Sequence, residues 1–277
     1  MKFTRRMAGL ALATAASVAL ALPASAQNTN QSLAAGSVIE TIKQDGVLRI
    51  GLSIFRPWSM RDLDGDLVGF ELDVGRELAK DMGVEVEFIP TAWDGIIPAL
   101  ISGKFDVIIS GMTITPQRNL TVAFSETYAY SGLTILANNA LTAGFTLEDY
   151  NSPDVTFSAR RGATPATVIS EMFPEAKLLL FDEDGAADQE VLNGNAHATM
   201  GAEPSPSEYA RNYPDTVNVP FNQAFQAAGE GFAFRKGDPD AENFFNNWIG
   251  IKTRTGWLKE RHDYWFRGDD WKANVAE

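Results

Sequence analysis

The chain has 277 residues, a formal net charge of −13 and no cysteine. Its length suffices for one large domain or two ordinary ones, and the lack of cysteine excludes disulfides and thiolate metal sites. Because an acidic surface repels nucleic acid and anionic lipid, we expect neither as a partner. A carboxylate ligand would have to be bound by local positive charge.

Residues 1–26 have the pattern of a secretory signal peptide. Three basic residues precede an apolar run over 7–21 that is short for a membrane span, and an A-x-A cleavage pattern ends at Ala26. We therefore expect cleavage before Gln27 and a periplasmic location. Loss of the three basic residues changes the net charge from −13 to −16. The Arg5-Arg6 pair leaves both the general secretory route and the twin-arginine route open.

Strands and helices alternate along the first part of the mature chain. Hydrophobic periodicity and turn residues predict a helix over 38–44, a strand over 47–52, a hairpin over 62–68, a helix over 71–82, a strand over 84–89, a helix over 93–102 and a strand over 105–109. This alternation indicates an α/β domain with a mainly parallel sheet.

The alternation begins again beyond Tyr128, after an apolar segment over 132–137. The predicted elements are a short helix at 146–149, a strand at 155–157, a helix ending at 172, a strand at 178–181, a helix at 185–193, strands at 197–200 and 231–235, and helices at 240–253 and 257–265. Thr164 is predicted as the N-cap of the helix that ends at 172, with Pro165 as its first residue. Two α/β units are therefore expected.

The segment 110–118 is the strongest candidate for a binding site. It follows the predicted strand 105–109 and combines Ser110, Gly111 and Thr113 with Arg118. Glycine lets backbone N–H groups approach a ligand, hydroxyls donate hydrogen bonds, and arginine holds a carboxylate through two parallel hydrogen bonds. The segment therefore predicts a site for a small carboxylate, with a solvated surface arginine as the alternative.

Motifs in the order found in one protein family cover nearly the whole mature chain. They are Gly69-Phe70-Glu71-Leu72-Asp73, Asp94-Gly95-Ile96-Ile97-Pro98-Ala99-Leu100, Ile114-Thr115-Pro116-Gln117-Arg118, Phe124-Ser125-Glu126-Thr127-Tyr128, Gly162-Ala163-Thr164, Arg235-Lys236-Gly237-Asp238 and Asp263-Tyr264-Trp265-Phe266. Together they resemble the periplasmic amino-acid-binding proteins, the family 3 solute-binding proteins of ABC transporters.

This resemblance implies an α/β fold of the two-lobed periplasmic binding protein type (type II), with a ligand cleft between the lobes. It implies a first lobe built from residues 27–133 and 232–277 and a second lobe from residues 134–231. It also implies the partners, which are a small amino acid or related carboxylate and an ABC transporter permease in the membrane. We expect a monomer that uses no cofactor or metal and has no catalytic residues.

The resemblance also assigns roles to residues of the candidate segment. Arg118 matches the arginine that binds the α-carboxylate of the ligand. Ser110, Gly111 and Thr113 match first-lobe residues that hydrogen-bond the backbone atoms of the amino acid. Thr164 matches a second-lobe residue that meets the same carboxylate, and its predicted place at a helix N-terminus independently favours an anion.

Further residues match the walls of the family's cleft. Phe55 and Trp93 fall on flanking aromatic or apolar positions, although Trp93 also fits a core residue at a helix start, and Trp58 is interpreted as structural. Arg160 falls where a lysine of the glutamine-binding branch reaches the ligand side chain. The alternative for Arg160 is a surface ion pair with Asp154.

Two departures from the family pattern bear on the ligand. Ala202 stands where most members have the aspartate that binds the α-ammonium group, so Glu203 or Glu230 would have to replace it, or the ligand has no amino group. The loop after Gly51 carries Arg56 in place of the acid that basic-amino-acid binders use. We therefore expect an acidic or amide amino acid, or a related anion, to bind better than lysine or arginine.

An enzyme is the alternative class. Periplasmic cyclohexadienyl dehydratases, which act on prephenate or arogenate, resemble the same binding proteins and need a carboxylic acid to protonate a leaving hydroxyl. Glu203 is the one residue that the sequence nominates for this role, and its surroundings do not match the acid motif of that enzyme. The sequence therefore favours transport over catalysis.

Overall fold

The computed structural model describes residues 36–275, so the predicted signal peptide lies outside the described residues. The helices are α1 (Val38–Asp45), α2 (Phe70–Met82), α3 (Ile96–Ile101), α4 (Pro116–Asn119), α5 (Thr164–Met172), α6 (Ala186–Leu192), α7 (Ser205–Asn212), α8 (Pro239–Arg254) and α9 (Trp257–Arg267). The strands are β1 (Val47–Leu52), β2 (Met60–Arg61), β3 (Leu67–Val68), β4 (Glu85–Pro90), β5 (Val107–Ile108), β6 (Ala123–Asn138), β7 (Thr156–Arg160), β8 (Lys177–Phe181), β9 (Ala198–Ala202), β10 (Val217–Asn218) and β11 (Gln226–Phe234).

Two long antiparallel strands, β6 and β11, connect the two halves of the molecule. The strand order is β4-β1-β5-β11-β6-β9-β7-β8, and β10 pairs with β6. The first part of β6, from Ala123 to Leu133, pairs with β11, whereas its last part, from Leu133 to Ala137, pairs with β9. The strand therefore passes from a first lobe around β1, β4 and β5 to a second lobe around β7, β8 and β9, and β11 returns.

Each lobe has its own apolar core on both faces of the sheet. In the first lobe, one cluster surrounds Trp58, Phe70 and Phe232, and another surrounds Phe105. In the second lobe, the main cluster surrounds Tyr150 and a smaller one contains Leu136 and Val191. The fold is thus the expected two-lobed α/β type. The expected division of the chain, at 133/134 and 231/232, stays a prediction, because both boundaries fall inside the continuous strands β6 and β11.

Several predicted elements are confirmed together with their end signals. Helix α1 begins after Ser37, whose hydroxyl accepts a hydrogen bond from the Ile39 N–H, and it ends at Gly46 with φ of 70°. The hairpin is confirmed as the antiparallel pair β2 and β3. Among residues 36–275, no helix is both long and apolar enough to cross a bilayer.

Other elements differ from prediction for physical reasons. Helix α5 begins at Thr164 with Ala163 as its N-cap, so the prediction of Thr164 as the N-cap is wrong by one residue. Helix α7, which follows the proline-rich stretch 204–206, was not predicted from the sequence. Pro206 lies in the first turn of α7, where a proline loses no hydrogen bond because the N–H groups of that turn have no intrahelical partner.

Candidate functional site

A cavity of about 830 Å³, including its solvent-filled mouth, lies between the two lobes. Six of the sequence-predicted residues line it, namely Phe55, Trp93, Gly111, Thr113, Arg160 and Thr164. Trp58 also lines it, in addition to its predicted structural role in the core. Aromatic walls and a few convergent polar groups are typical of a small-molecule site.

Arg118 lies at the junction of the lobes and contacts residues of the cavity wall. Its Nη1 donates to the Thr113 carbonyl at 2.9 Å and to Thr164 Oγ1 at 3.4 Å, and its Nη2 donates to the Gly162 carbonyl at 3.1 Å. The guanidinium carbon lies 5.4 Å from the centre of the Trp93 ring. Burial lowers the pKa of Arg118 to about 10.

The charge of Arg118 has no anionic partner in the part of the chain that the structure describes. No carboxylate of residues 36–275 lies within ion-pair distance of its guanidinium, and its hydrogen bonds go to neutral oxygens. Buried charges are costly unless they are paired. A ligand carboxylate at the cavity would supply the missing anion.

The backbone at Gly111 is positioned from behind by a buried carboxyl group. Gly111 N–H donates to Glu71 Oε1 at 2.7 Å, so this donor is already occupied. Gly111 has φ of 55°, and a Cβ atom there would lie 3.1 Å from the Trp58 ring, which explains the glycine. Ser110 is 2% exposed and accepts a hydrogen bond from Ser53 N–H at 2.8 Å, so it lies behind the cavity wall.

Arg160 reaches from the second lobe to the first. Its Nη2 donates to Ser53 Oγ at 2.8 Å and its Nη1 to the Ile54 carbonyl at 3.1 Å. Its ion pair is with Asp184, at 3.7 Å, and the alternative of a surface pair with Asp154 is therefore wrong. Together with Arg118, this residue connects the lobes across the cleft.

Thr164 and Ala163 place the N-terminus of α5 at the cavity. The first N–H groups of a helix have no intrahelical partner, and the helix dipole favours negative charge there. The Thr164 hydroxyl already contacts Arg118. Groups from both lobes therefore make one end of the cavity suited to binding an anion.

The two acids nominated from the sequence lie elsewhere. Glu203 Oε1 accepts a hydrogen bond from the Thr134 hydroxyl at 2.6 Å, and the residue is not part of the cavity wall. Glu230 is 1% exposed and lies behind Ser131, whose hydroxyl is 2.5 Å from Glu230 Oε1. Burial raises the pKa of Glu230 to about 7. The ligand role of both residues stays a prediction.

The acids that do line the cavity were not predicted from the sequence. They are Glu183, Asp184 and Asp188, in the loop after β8 and the first turn of α6. Burial raises the pKa of Asp184 to about 6 and that of Asp188 to about 7. A signal was present for Glu183 and Asp184, which follow directly after the end of β8, where α/β sheets bind ligands, but not for Asp188.

Comparisons with known proteins agree with this architecture. The family model for bacterial extracellular solute-binding proteins, family 3, matches residues 48–268. The chain is 27% identical over 248 residues to cyclohexadienyl dehydratase from Pseudomonas aeruginosa, a match that covers 89% of this chain and 91% of that protein.

Solved structures are similar as well. One is an ancestral amino-acid-binding protein described as a precursor of cyclohexadienyl dehydratase, with 39% identity and a TM-score of 0.76, covering 83% of this chain and 100% of that chain. Another is a binding component of an ABC transporter from Wolinella succinogenes in complex with lysine, with 34% identity and a TM-score of 0.77, covering 83% of this chain and 99% of that chain.

Proposed function

The chain belongs to the family 3 bacterial extracellular solute-binding proteins, and we propose that it captures a small amino acid in the periplasm and delivers it to an ABC transporter permease. Binding closes the two lobes around the ligand, as hinge closure does in periplasmic binding proteins. The protein acts as a monomer in this proposal, and its contribution is binding, not catalysis.

The observation that carries the proposal is the charge of Arg118 between the lobes, which no carboxylate of residues 36–275 pairs with. A ligand carboxylate placed against this guanidinium also meets Thr164 at the N-terminus of α5. Charge-assisted, bidentate bonds of this kind are about twice as strong as neutral ones. The same contact joins the first lobe, through Arg118, to the second, so carboxylate binding and lobe closure support each other.

The identity of the ligand side chain is the finer part of the proposal. The expected preference for an acidic or amide amino acid depends on Arg160, which lies in the cavity wall, and on Arg56. Arg160 shares its charge with Asp184 at 3.7 Å, and Arg56 lies 3.8 Å from Glu208. Glutamate, aspartate and glutamine are the first candidates. These two ion pairs neutralise part of the positive charge that would favour an acidic side chain.

A panel of amino acids tests the proposal directly. We expect at least one of glutamate, aspartate, glutamine, lysine and arginine to raise the melting temperature of the mature protein, because a ligand that binds the folded state alone stabilises it. Calorimetry then ranks the affinities. A preference for lysine or arginine over the other three would reverse the side-chain assignment, and no binding by any amino acid would contradict the function.

A dehydratase is the second candidate, because the chain is 27% identical to an enzyme of that name over nearly its full length. Such an enzyme needs a carboxylic acid beside the leaving hydroxyl. Glu203, the residue nominated for this role, hydrogen-bonds Thr134 and does not line the cavity. Formation of phenylpyruvate from prephenate by the purified protein would favour the enzyme over the transporter component.

A further inference from the structure

We propose that Asp188 is the residue that binds a positively charged group of the ligand, a protonated amino or guanidino group, within the same cavity. This inference rests on the proposed function, because it takes the ligand to be an amino acid with its carboxylate at Arg118. It gives the ligand an orientation, with its carboxylate at the junction of the lobes and its positively charged group at the first turn of α6.

The first argument is the position of the acids relative to the cavity. Within residues 36–275, the carboxylates in the cavity wall are Glu183, Asp184 and Asp188. Glu203 is held by Thr134, and Glu230 is held by Ser131. A cationic group inside the cavity therefore meets the acids of the loop before α6 and of its first turn, and not the two acids that the sequence nominates.

The second argument separates Asp188 from Asp184. The Asp184 carboxylate is already bound by Arg160 and by the backbone N–H groups of Arg56 and Gly185. The Asp188 carboxylate accepts from its own backbone N–H, and its charged neighbour is Asp184, which repels it. No cation of the described residues lies within ion-pair distance of Asp188. A ligand cation would therefore offset both the repulsion by Asp184 and the cost of removing the Asp188 carboxylate from water.

The walls around Asp188 favour a strong contact with a cation. Asp188 shares the cavity with Ala187, Met200 and Ala202, whose side chains are apolar. Charge pairs in such partly dry surroundings interact more strongly than pairs on an open surface.

A purely structural role for Asp188 is the competing explanation. It is the third residue of α6, where an acid interacts favourably with the helix dipole. That role would make Asp188 a stabilising residue, and its replacement would lower the melting temperature without discriminating between ligands. A test must therefore compare ligands that differ in one charge.

The variant Asp188→Asn removes the charge and keeps the shape. We expect it to weaken amino-acid binding by about tenfold or more, since a charge-assisted bond is replaced by a neutral one. The probes for calorimetry are L-glutamate with glutarate, which lacks the amino group, and L-arginine with L-citrulline, which lacks the guanidinium charge. The control is Glu171→Gln, which removes an exposed charge on α5 of the same lobe.

The pattern of affinity losses among the four probes identifies the ligand group that Asp188 binds. Weaker binding of glutamate, arginine and citrulline with unchanged binding of glutarate assigns Asp188 to the α-ammonium group. Weaker binding of arginine alone assigns it to the guanidinium. Affinities within twofold of wild type for every probe would overturn the inference while leaving the proposed function intact. Failure of the wild-type protein to bind any amino acid would overturn both.

A second readout uses the unmodified protein and so does not depend on folding of the variant. Burial and Asp184 raise the pKa of Asp188 to about 7, and a ligand cation favours the ionised carboxylate. Affinity for L-arginine or L-glutamate should therefore increase as the pH rises from 6 to 8, with release of protons on binding. Constant affinity across this range would count against the inference.

The other charged or titratable groups around Asp188 determine how that titration is interpreted. They are Asp184, with a pKa of about 6, Tyr209, with a pKa of about 12, and Glu183, Arg160 and Arg56. Tyr209 keeps its proton between pH 6 and 8. Asp184 titrates at the lower edge of the range, and the same measurement on Asp184→Asn separates its contribution.

Discussion

Replacement of Arg118 by alanine is expected to weaken binding of an amino-acid ligand by roughly 30- to 4,000-fold, which corresponds to about 2–5 kcal/mol. The variant loses two parallel charge-assisted bonds to the carboxylate and also the contacts of Arg118 with Gly162 and Thr164, which connect the lobes. The stability of the unliganded protein should change much less, because the guanidinium is a half-buried charge without an acidic partner in the described part of the chain.

Two further variants make this measurement specific. Arg118→Lys keeps the positive charge but not the planar fork, so it should recover only part of the affinity. Arg161→Ala removes an exposed arginine that pairs with Asp182 at 2.7 Å, and it should leave affinity unchanged. Calorimetry on all three variants with the tightest-binding amino acid gives the comparison. Equal affinity in Arg118→Ala and wild type would contradict the assignment of the carboxylate site.

The residues that the sequence nominates for a carboxylate lie close together along the chain, because this chemistry is concentrated in one segment. Gly111, Thr113 and Arg118 follow a buried strand within a few residues, and Arg118 meets Thr164, which comes from a separate motif. Residues that follow different strands come together in the fold, because the carboxyl ends of the strands meet at one edge of the sheet. The motif order also predicts the two lobes correctly.

The acids of the cavity wall were not predictable in the same way. Asp188 lies in the first turn of a helix, where an acid has an ordinary structural explanation. Nothing in the local sequence says that this turn faces the cavity, since that depends on the packing of α6 against β7. Glu203 illustrates the converse, because it lies one residue from the expected position and yet hydrogen-bonds Thr134.

Glu71 illustrates a residue whose role is apparent only in three dimensions. The sequence places it in a motif at the start of α2, where an acid is common. In the fold it is 0% exposed, and its Oε1 accepts hydrogen bonds from the Tyr128 hydroxyl at 2.5 Å and from the Gly111 N–H at 2.7 Å. Burial raises its pKa to about 8, so the carboxyl group is largely neutral at pH 7.

This geometry predicts a large difference between two substitutions at the same position. Glu71→Ala should lower the free energy of unfolding by roughly 2–5 kcal/mol, because it leaves the buried Tyr128 hydroxyl without an acceptor, leaves the Gly111 N–H with only its 3.2 Å bond to that hydroxyl, and opens a cavity. Glu71→Gln retains an acceptor oxygen of the same shape and should cost about 1 kcal/mol or less at pH 6. Urea unfolding of the unliganded mature protein measures both values.

A further prediction concerns how the difference in stability between wild type and Glu71→Gln depends on pH. The pKa of Glu71 rises from 4.5, its ordinary value, to about 8 in the folded protein, so the folded state binds more protons between these values. Its contribution to stability is therefore full below pH 4.5 and is lost as the pH rises towards 8. Glutamine cannot ionise, so Glu71→Gln should gain stability relative to wild type as the pH increases from 5 to 8. Because the other titrating groups are common to both proteins, the difference between them reports Glu71 together with its electrostatic interaction with Glu230. A constant difference in stability between pH 5 and 8 would mean that Glu71 is ionised in the folded protein. The assignment of a neutral carboxyl group behind Gly111 would then be wrong.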